Sequence, residues 1–182
     1  MSDRRLGLFV LLSVCLFAIA LVVAVNWTSH PTAPANSPAA GVTAVLCHSV
    51  NGLPDPNCTP GVVDPRVTQD NISTTICVSG YTKTVRPPAG YTHDLKVRQI
   101  KEYGYGDMSL ASYEEDHLIS LELGGHPTDP KNLWPQPRSG DHPASQKDQI
   151  ENLLRARVCS GAITLAAAQA AIASNWESVP TS

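Results

Sequence analysis

Glu115-Asp116-His117-Leu118-Ile119-Ser120-Leu121-Glu122-Leu123-Gly124-Gly125, followed by Asn132-Leu133-Trp134-Pro135-Gln136, is the stretch that decides the fold. It sets a histidine beside a carboxylate, closes a short loop on a glycine pair, and returns through an asparagine fifteen positions after the histidine. Residues 114–120 read as a strand. The segment from Gly124 to Pro130 is dense in turn formers. Residues 132–136 read as a short return strand bounded by prolines. A helix then starts near Pro143 and runs to Val158, with Ile150, Leu153, Leu154 and Val158 at helical spacing. The order strand, loop, strand, helix within so short a span predicts an α+β domain.

Outside this unit the signals are local. Asp64-Pro65 offers a cap residue followed by a first-turn proline, which predicts a short helix ending near Asn71. Residues 72–78 are rich in β-branched side chains and end near Gly80, the pattern of a strand. Arg86-Pro87-Pro88-Ala89-Gly90 breaks the chain. Thr92 is then expected to cap a helix stopped at Gly104, with Val97 and Ile100 turned to the core. Glu151 and Arg155 are spaced for a favourable pair on the long helix. Thr164 is expected to cap a last, alanine-rich helix over residues 165–176.

The 182 residues suffice for one domain with appendages. Arg4 and Arg5 precede an uncharged apolar run over residues 6–25. Its twenty residues, at about 1.5 Å each, match the roughly 30 Å of a bilayer core. The expected organisation is a signal anchor or transmembrane helix over 1–26, a Pro/Ala-rich linker over 27–44 and an extracytoplasmic domain over 45–182. That places the domain outside the cytoplasm, tethered to the membrane, or secreted where the apolar run is cleaved. Cys15, inside the run, reads as an apolar filler. Cys47, Cys58, Cys77 and Cys159 form an even set, which in an exported domain reads as two disulfides. Of the three pairings open to four cysteines, Cys47–Cys58 with Cys77–Cys159 is favoured. A zinc site is the rival reading, against which the spacing speaks. Asn26, Asn57 and Asn71 open Asn-x-Ser/Thr sites.

The net charge of −3 argues against a strong overall electrostatic grip on nucleic acid. A local basic surface is still offered by Lys83, Arg86, Lys96, Arg98 and Lys101, which read equally well as a solvated face. Hydrolysis of a phosphodiester requires a base for the attacking water, positive charge at the phosphoryl oxygens and stabilisation of the leaving oxygen. A neutral imidazole suits the first task. One divalent cation on an acid and a further oxygen or nitrogen ligand suits the other two. Neighbours on a strand point to opposite faces, so Asp116 and His117 serve one site only if His117 sits where the strand bends into its loop.

In this context the segment 116–125 followed by Asn132-Leu133 resembles the HNH endonuclease family, whose core is a ββα-metal finger; the likeness covers about 45 residues. The resemblance implies His117 as general base, Asp116 as a metal ligand and Asn132 as the residue that braces the loop through its amide. The ion implied is Mg2+ or Mn2+, with Zn2+ the alternative. Where the family completes its metal site at the helix start, this chain has Asp141-His142: His142 is the natural ligand and Asp141 a substitute. The bland alternative has Asp141 capping the helix. The cysteine pairs that hold a structural zinc in many family members are missing.

Lys147 falls within about 60° of the apolar side at 100° per residue, so it reads as facing the hairpin to contact a substrate phosphate, and equally as a lysine that snorkels from the helix to solvent. Arg138 is a second candidate for that contact. Trp134 offers a base-stacking ring but reads more naturally as core. Glu114 and Glu115 read as a solvated acidic run, Glu122 as facing the loop or solvent, and His126 as a turn residue. The expected substrate is DNA or RNA and the expected contact beyond it the membrane; no protein partner is inferable. The rival function is a non-catalytic, disulfide-stabilised binding module on the same scaffold.

Overall fold

The computed structural model describes residues 47–181. The expected anchor and linker, and the expected domain start at residue 45, lie outside them. Among the described residues no helix is long and apolar enough to cross a membrane. The elements are α1 (Tyr81–Val85), α2 (Ala89–Glu102), β1 (Tyr113–His117), β2 (Leu133–Pro137), α3 (Ala144–Cys159) and α4 (Leu165–Asn175), joined by short 3-10 turns. The result is a mixed α+β domain with one two-stranded sheet.

β1 and β2 pair antiparallel, with Asp116 opposite Trp134 and His117 opposite Leu133. Between them the chain turns at Leu121–Leu123 and again at Pro130–Asn132. The glycine pair has a steric cause. A Cβ on Gly125 would lie 1.7 Å from the Ile119 carbonyl oxygen, so only glycine fits there. Gly124 takes a left-handed φ of 71°, which glycine adopts without penalty.

α3 follows in the expected place. Its inward face carries Ala144, Lys147, Ile150, Leu154 and Val158, a 3-3-4-4 progression that keeps one stripe on the core. It stops at Ser160 and Gly161, the latter at φ 79°. α4 begins where the Thr164 hydroxyl accepts from the Ala167 N–H. Leu154, Val158, Leu165, Ala168, Ile172 and Trp176 close the main core against Ile76 and Leu123. Each such fully buried branched side chain stabilises by about 1.5–3 kcal/mol. A smaller cluster joins Cys47, Tyr103 and Trp134.

Several upstream expectations are corrected. Asp64-Pro65 starts no helix: Asp64 is buried, accepts from the Arg66 N–H and ion-pairs the Arg66 side chain at 2.7 Å. Residues 72–78 form no strand. They close a 3-10 turn over Gln69–Thr74 and a further turn that delivers Ile76 to the core and Cys77 to α3. α2 begins one turn earlier than Thr92, at Pro88, and buries Leu95, Gln99 and Ile100, with Val97 only half-buried. Glu151 does not pair with Arg155. It turns back to Lys147, and Arg155 donates to the Ile76 carbonyl at 2.7 Å.

The disulfides are Cys47–Cys58 and Cys77–Cys159, as favoured from the sequence. The second ties the irregular upstream turn to the end of α3 across 82 positions, the first closes only 11. Chain-entropy restriction grows with the loop closed, to about 4–5 kcal/mol for the long link and about 3 kcal/mol for the short one. The paired Cys77→Ser/Cys159→Ser variant is therefore expected to lose more stability than Cys47→Ser/Cys58→Ser, read from urea midpoints at equal m-value.

Candidate functional site

His117 is the last residue of β1, where the strand gives way to the loop. Its ring is buried, 6 % exposed, and Nε2 lies 3.0 Å from the Pro127 carbonyl oxygen. A carbonyl only accepts, so the neutral ring carries its proton on Nε2 and leaves the Nδ1 lone pair free. Burial holds the imidazole below its ordinary pKa, against the opposing pull of the Pro127 bond and of Asp116.

Asn132 is fully buried and all its side-chain bonds go to backbone. Oδ1 accepts from the N–H groups of Ile119 (3.0 Å) and Val62 (3.2 Å), and Nδ2 donates to the carbonyls of Ile119 (3.0 Å) and His126 (3.1 Å). The amide thus clamps both ends of the loop whose Pro127 carbonyl orients His117. His126 itself serves the turn, its Nδ1 accepting from the N–H groups of Thr128 and Asp129.

The neighbouring strand position brings Asp116 against α3. Lys147 reaches it from the helix: Nζ is 2.7 Å from Asp116 Oδ2 and 2.8 Å from the His117 carbonyl, and it also pairs with Glu151. At 1 % exposure this is a buried ammonium held by two carboxylates. Burial opposes its charge, and Asp116 with Glu151 more than reverse that, so its pKa rises. Lys147 does face the hairpin, as its helical position indicates, but its ammonium is enclosed by protein and is not presented to a phosphate.

Asp116 and His117 line one polar cavity of about 260 Å³ together with Thr82, Arg86, Glu114, Ser120, Glu122, Asp148 and Glu151. Within it Ser120 Oγ and Glu122 Oε2 are buried with no hydrogen-bond partner among the described residues. Glu114 and Asp148 are both held above the usual carboxylate range, first by burial and then by the charge on Asp116. Arg138 neutralises Glu114 at 2.8 Å on the side of an adjoining cavity that also carries Lys96 and Glu115.

The expected metal set does not assemble. His142 bonds Glu177 through Nδ1 and lines a separate cavity of about 560 Å³ with His48, Leu53, Pro54 and Leu118. Asp141 is exposed, and α3 has no side-chain cap, so Asp141 does not cap the helix. Among the described residues no three His, Cys, Asp or Glu side chains are placed to hold a metal ion. Asp116, the one expected ligand that reaches the cavity, already holds the Lys147 ammonium. The residues present therefore do not fit a cation bound by Asp116 with His142 or Asp141. Trp134, fully buried against Tyr103 with ring centroids 6.1 Å apart, is core and not a stacking platform.

Sequence reasoning missed the packing role of Lys147 and the places of Arg86, Ser120 and Glu122. The only signal for Lys147 was its angular position on α3; Arg86 was legible only as one of a basic cluster, Glu122 only as a loop-facing acid, and Ser120 not at all. Comparison with family models, with curated proteins and with solved structures gave no match to this chain.

Two outcomes follow from these charges. Lys147→Met strands the buried carboxylates of Asp116 and Glu151, and an expected loss of about 3–5 kcal/mol should appear in urea melts. Glu115 has both oxygens buried without hydrogen bonds, and burial pushes its pKa from 4.5 up to about 8. A raised carboxyl stabilises the fold below the unfolded value and loses that contribution as pH climbs to the folded one. Wild-type stability should thus fall between about pH 4.5 and 8, whereas Glu115→Gln should flatten that slope, its gain over wild type growing from pH 4.5 to a maximum near pH 8.

Proposed function

We propose that this domain hydrolyses phosphodiester bonds of nucleic acid, outside the cytoplasm, on a ββα core like that of the HNH endonucleases. The observation that carries the reading is the His117 ring: one nitrogen tied to a loop carbonyl, the other unbonded among the described residues, in a cavity open to substrate. Held neutral by burial, Nδ1 takes the proton of a water as that water's oxygen attacks phosphorus. The P–O bond to the leaving group breaks, and the departing oxygen takes a proton from water.

Asn132 and Lys147 are positioning residues in this scheme. The first fixes the loop that orients the imidazole, the second draws α3 onto the end of β1. The side chains lining the cavity include no Phe, Tyr or Trp, so a base finds nothing to stack on. Recognition then rests on the phosphate backbone, and sequence preference is weak. The two disulfides support an oxidising compartment.

The cavity's excess of carboxylates, which repels a phosphodiester, favours the second reading, a non-catalytic exported binding module. One experiment separates them. Residues 45–182 are incubated with plasmid DNA and with RNA, with Mg2+, with Mn2+ and with chelator. Hydrolysis is expected, with His117→Ala slower by about 10²–10⁴-fold at a temperature where circular dichroism shows the variant folded. The rate should rise with pH through a midpoint below 6.5, the ordinary imidazole value, because burial lowers it. No cleavage under any of these conditions leaves the binding module. Cleavage undiminished in His117→Ala removes the imidazole from the chemistry.

A further inference from the structure

Building on the hydrolase reading, we infer that Arg86 is the side chain that grips the substrate phosphate. A cavity lined by Glu114, Asp116, Glu122, Asp148 and Glu151 repels a phosphodiester unless a cation at its wall receives it. Four nearby cations are already engaged. Lys147 is buried between Asp116 and Glu151, and Arg138 is paired with Glu114. Lys96 donates to the carbonyls of Leu110 and Tyr113, and Arg155 to that of Ile76. Arg86 lines the same cavity as His117 and, among the described residues, makes no ion pair and no side-chain hydrogen bond.

Its mounting suits the task. Arg86 caps the C-terminal end of α1, its N–H bonded 3.0 Å from the Thr82 carbonyl oxygen. Pro87 and Pro88 follow at once and lead into α2, with Pro87 buried. The residue before a proline is restricted to extended backbone, and Arg86 has φ −59° and ψ 130°. The base of the side chain is thus fixed, while its planar fork is left to take two oxygens of one phosphate. Its charge is felt at His117, the proposed base, and at Glu114 and Asp148 of the same cavity.

The test uses Arg86→Ala and Arg86→Lys in residues 45–182, with cleavage followed against salt and pH. Binding of a fluorescent oligonucleotide is measured in parallel on wild type, on His117→Ala and on His117→Ala/Arg86→Ala. Expected for Arg86→Ala is a loss in kcat/KM of about 10–100-fold, a pH midpoint moved upward because a charge that lowers the His117 pKa is gone, and a salt slope of binding smaller by about one. Arg86→Lys should recover only part, since it restores the charge without the fork. Arg86→Ala within twofold of wild type in both rate and binding, at unchanged melting temperature, overturns the assignment while leaving His117 hydrolysis in place. If wild type cleaves nothing, the hydrolase reading fails separately. Weaker oligonucleotide binding on losing Arg86 then still supports the grip, and no binding by wild type overturns it.

Discussion

The Asn132 side chain is the constraint on which the rest of the hairpin depends. A loop running from Leu118 to Lys131 has no strand ladder of its own, and buried backbone groups must nevertheless be satisfied. One amide supplies what is missing, accepting from two N–H groups and donating to two carbonyls drawn from three separate segments. A primary amide offers two donors and an oxygen that accepts twice in one small group. Gly125 is the counterpart, because its missing Cβ lets the Ile119 carbonyl and the Asn132 amide approach the turn. Through His126 and Pro127 the same clamp sets the orientation of the His117 ring.

A second layer of organisation is electrostatic. Lys147 links α3 to both the side chain and the backbone at the end of β1, so the helix is registered against the hairpin by charge as well as by apolar packing. Burying such a group is costly, and the cost is offset only because Asp116, Glu151 and the His117 carbonyl all converge on it. The cavity beside it inherits an excess of carboxylates. That excess makes the free guanidinium of Arg86 more consequential than its exposed position suggests, and with burial it raises the pKa of Glu114 and Asp148.

The parts of the fold that were legible are those with a strong local period or turn chemistry. Ile150, Leu154 and Val158 announce α3, Thr164 announces the start of α4, and the glycine pair announces the turn between strands. Upstream the same rules misled. The β-branched residues 72–78 look like a strand, yet there is no neighbouring edge to pair with, and the link from Cys77 to Cys159 with the burial of Ile76 imposes turns instead. Asp64 looks like a helix cap, but Arg66 two residues on captures its carboxylate.

At the site, the Asp116-His117 pair, the return through Asn132 and the disulfide pairing follow from residue types and spacing, because each depends on chain-local geometry or on a small number of alternatives. What could not be read was which distant side chains meet them. Lys147 against Asp116, His142 against Glu177, and Arg86 at the wall of the His117 cavity are decided by how α1, α3 and the C-terminal turn dock. A carboxylate takes whatever counter-charge the packed fold brings to it, and a one-dimensional pattern records the charge but not its neighbour.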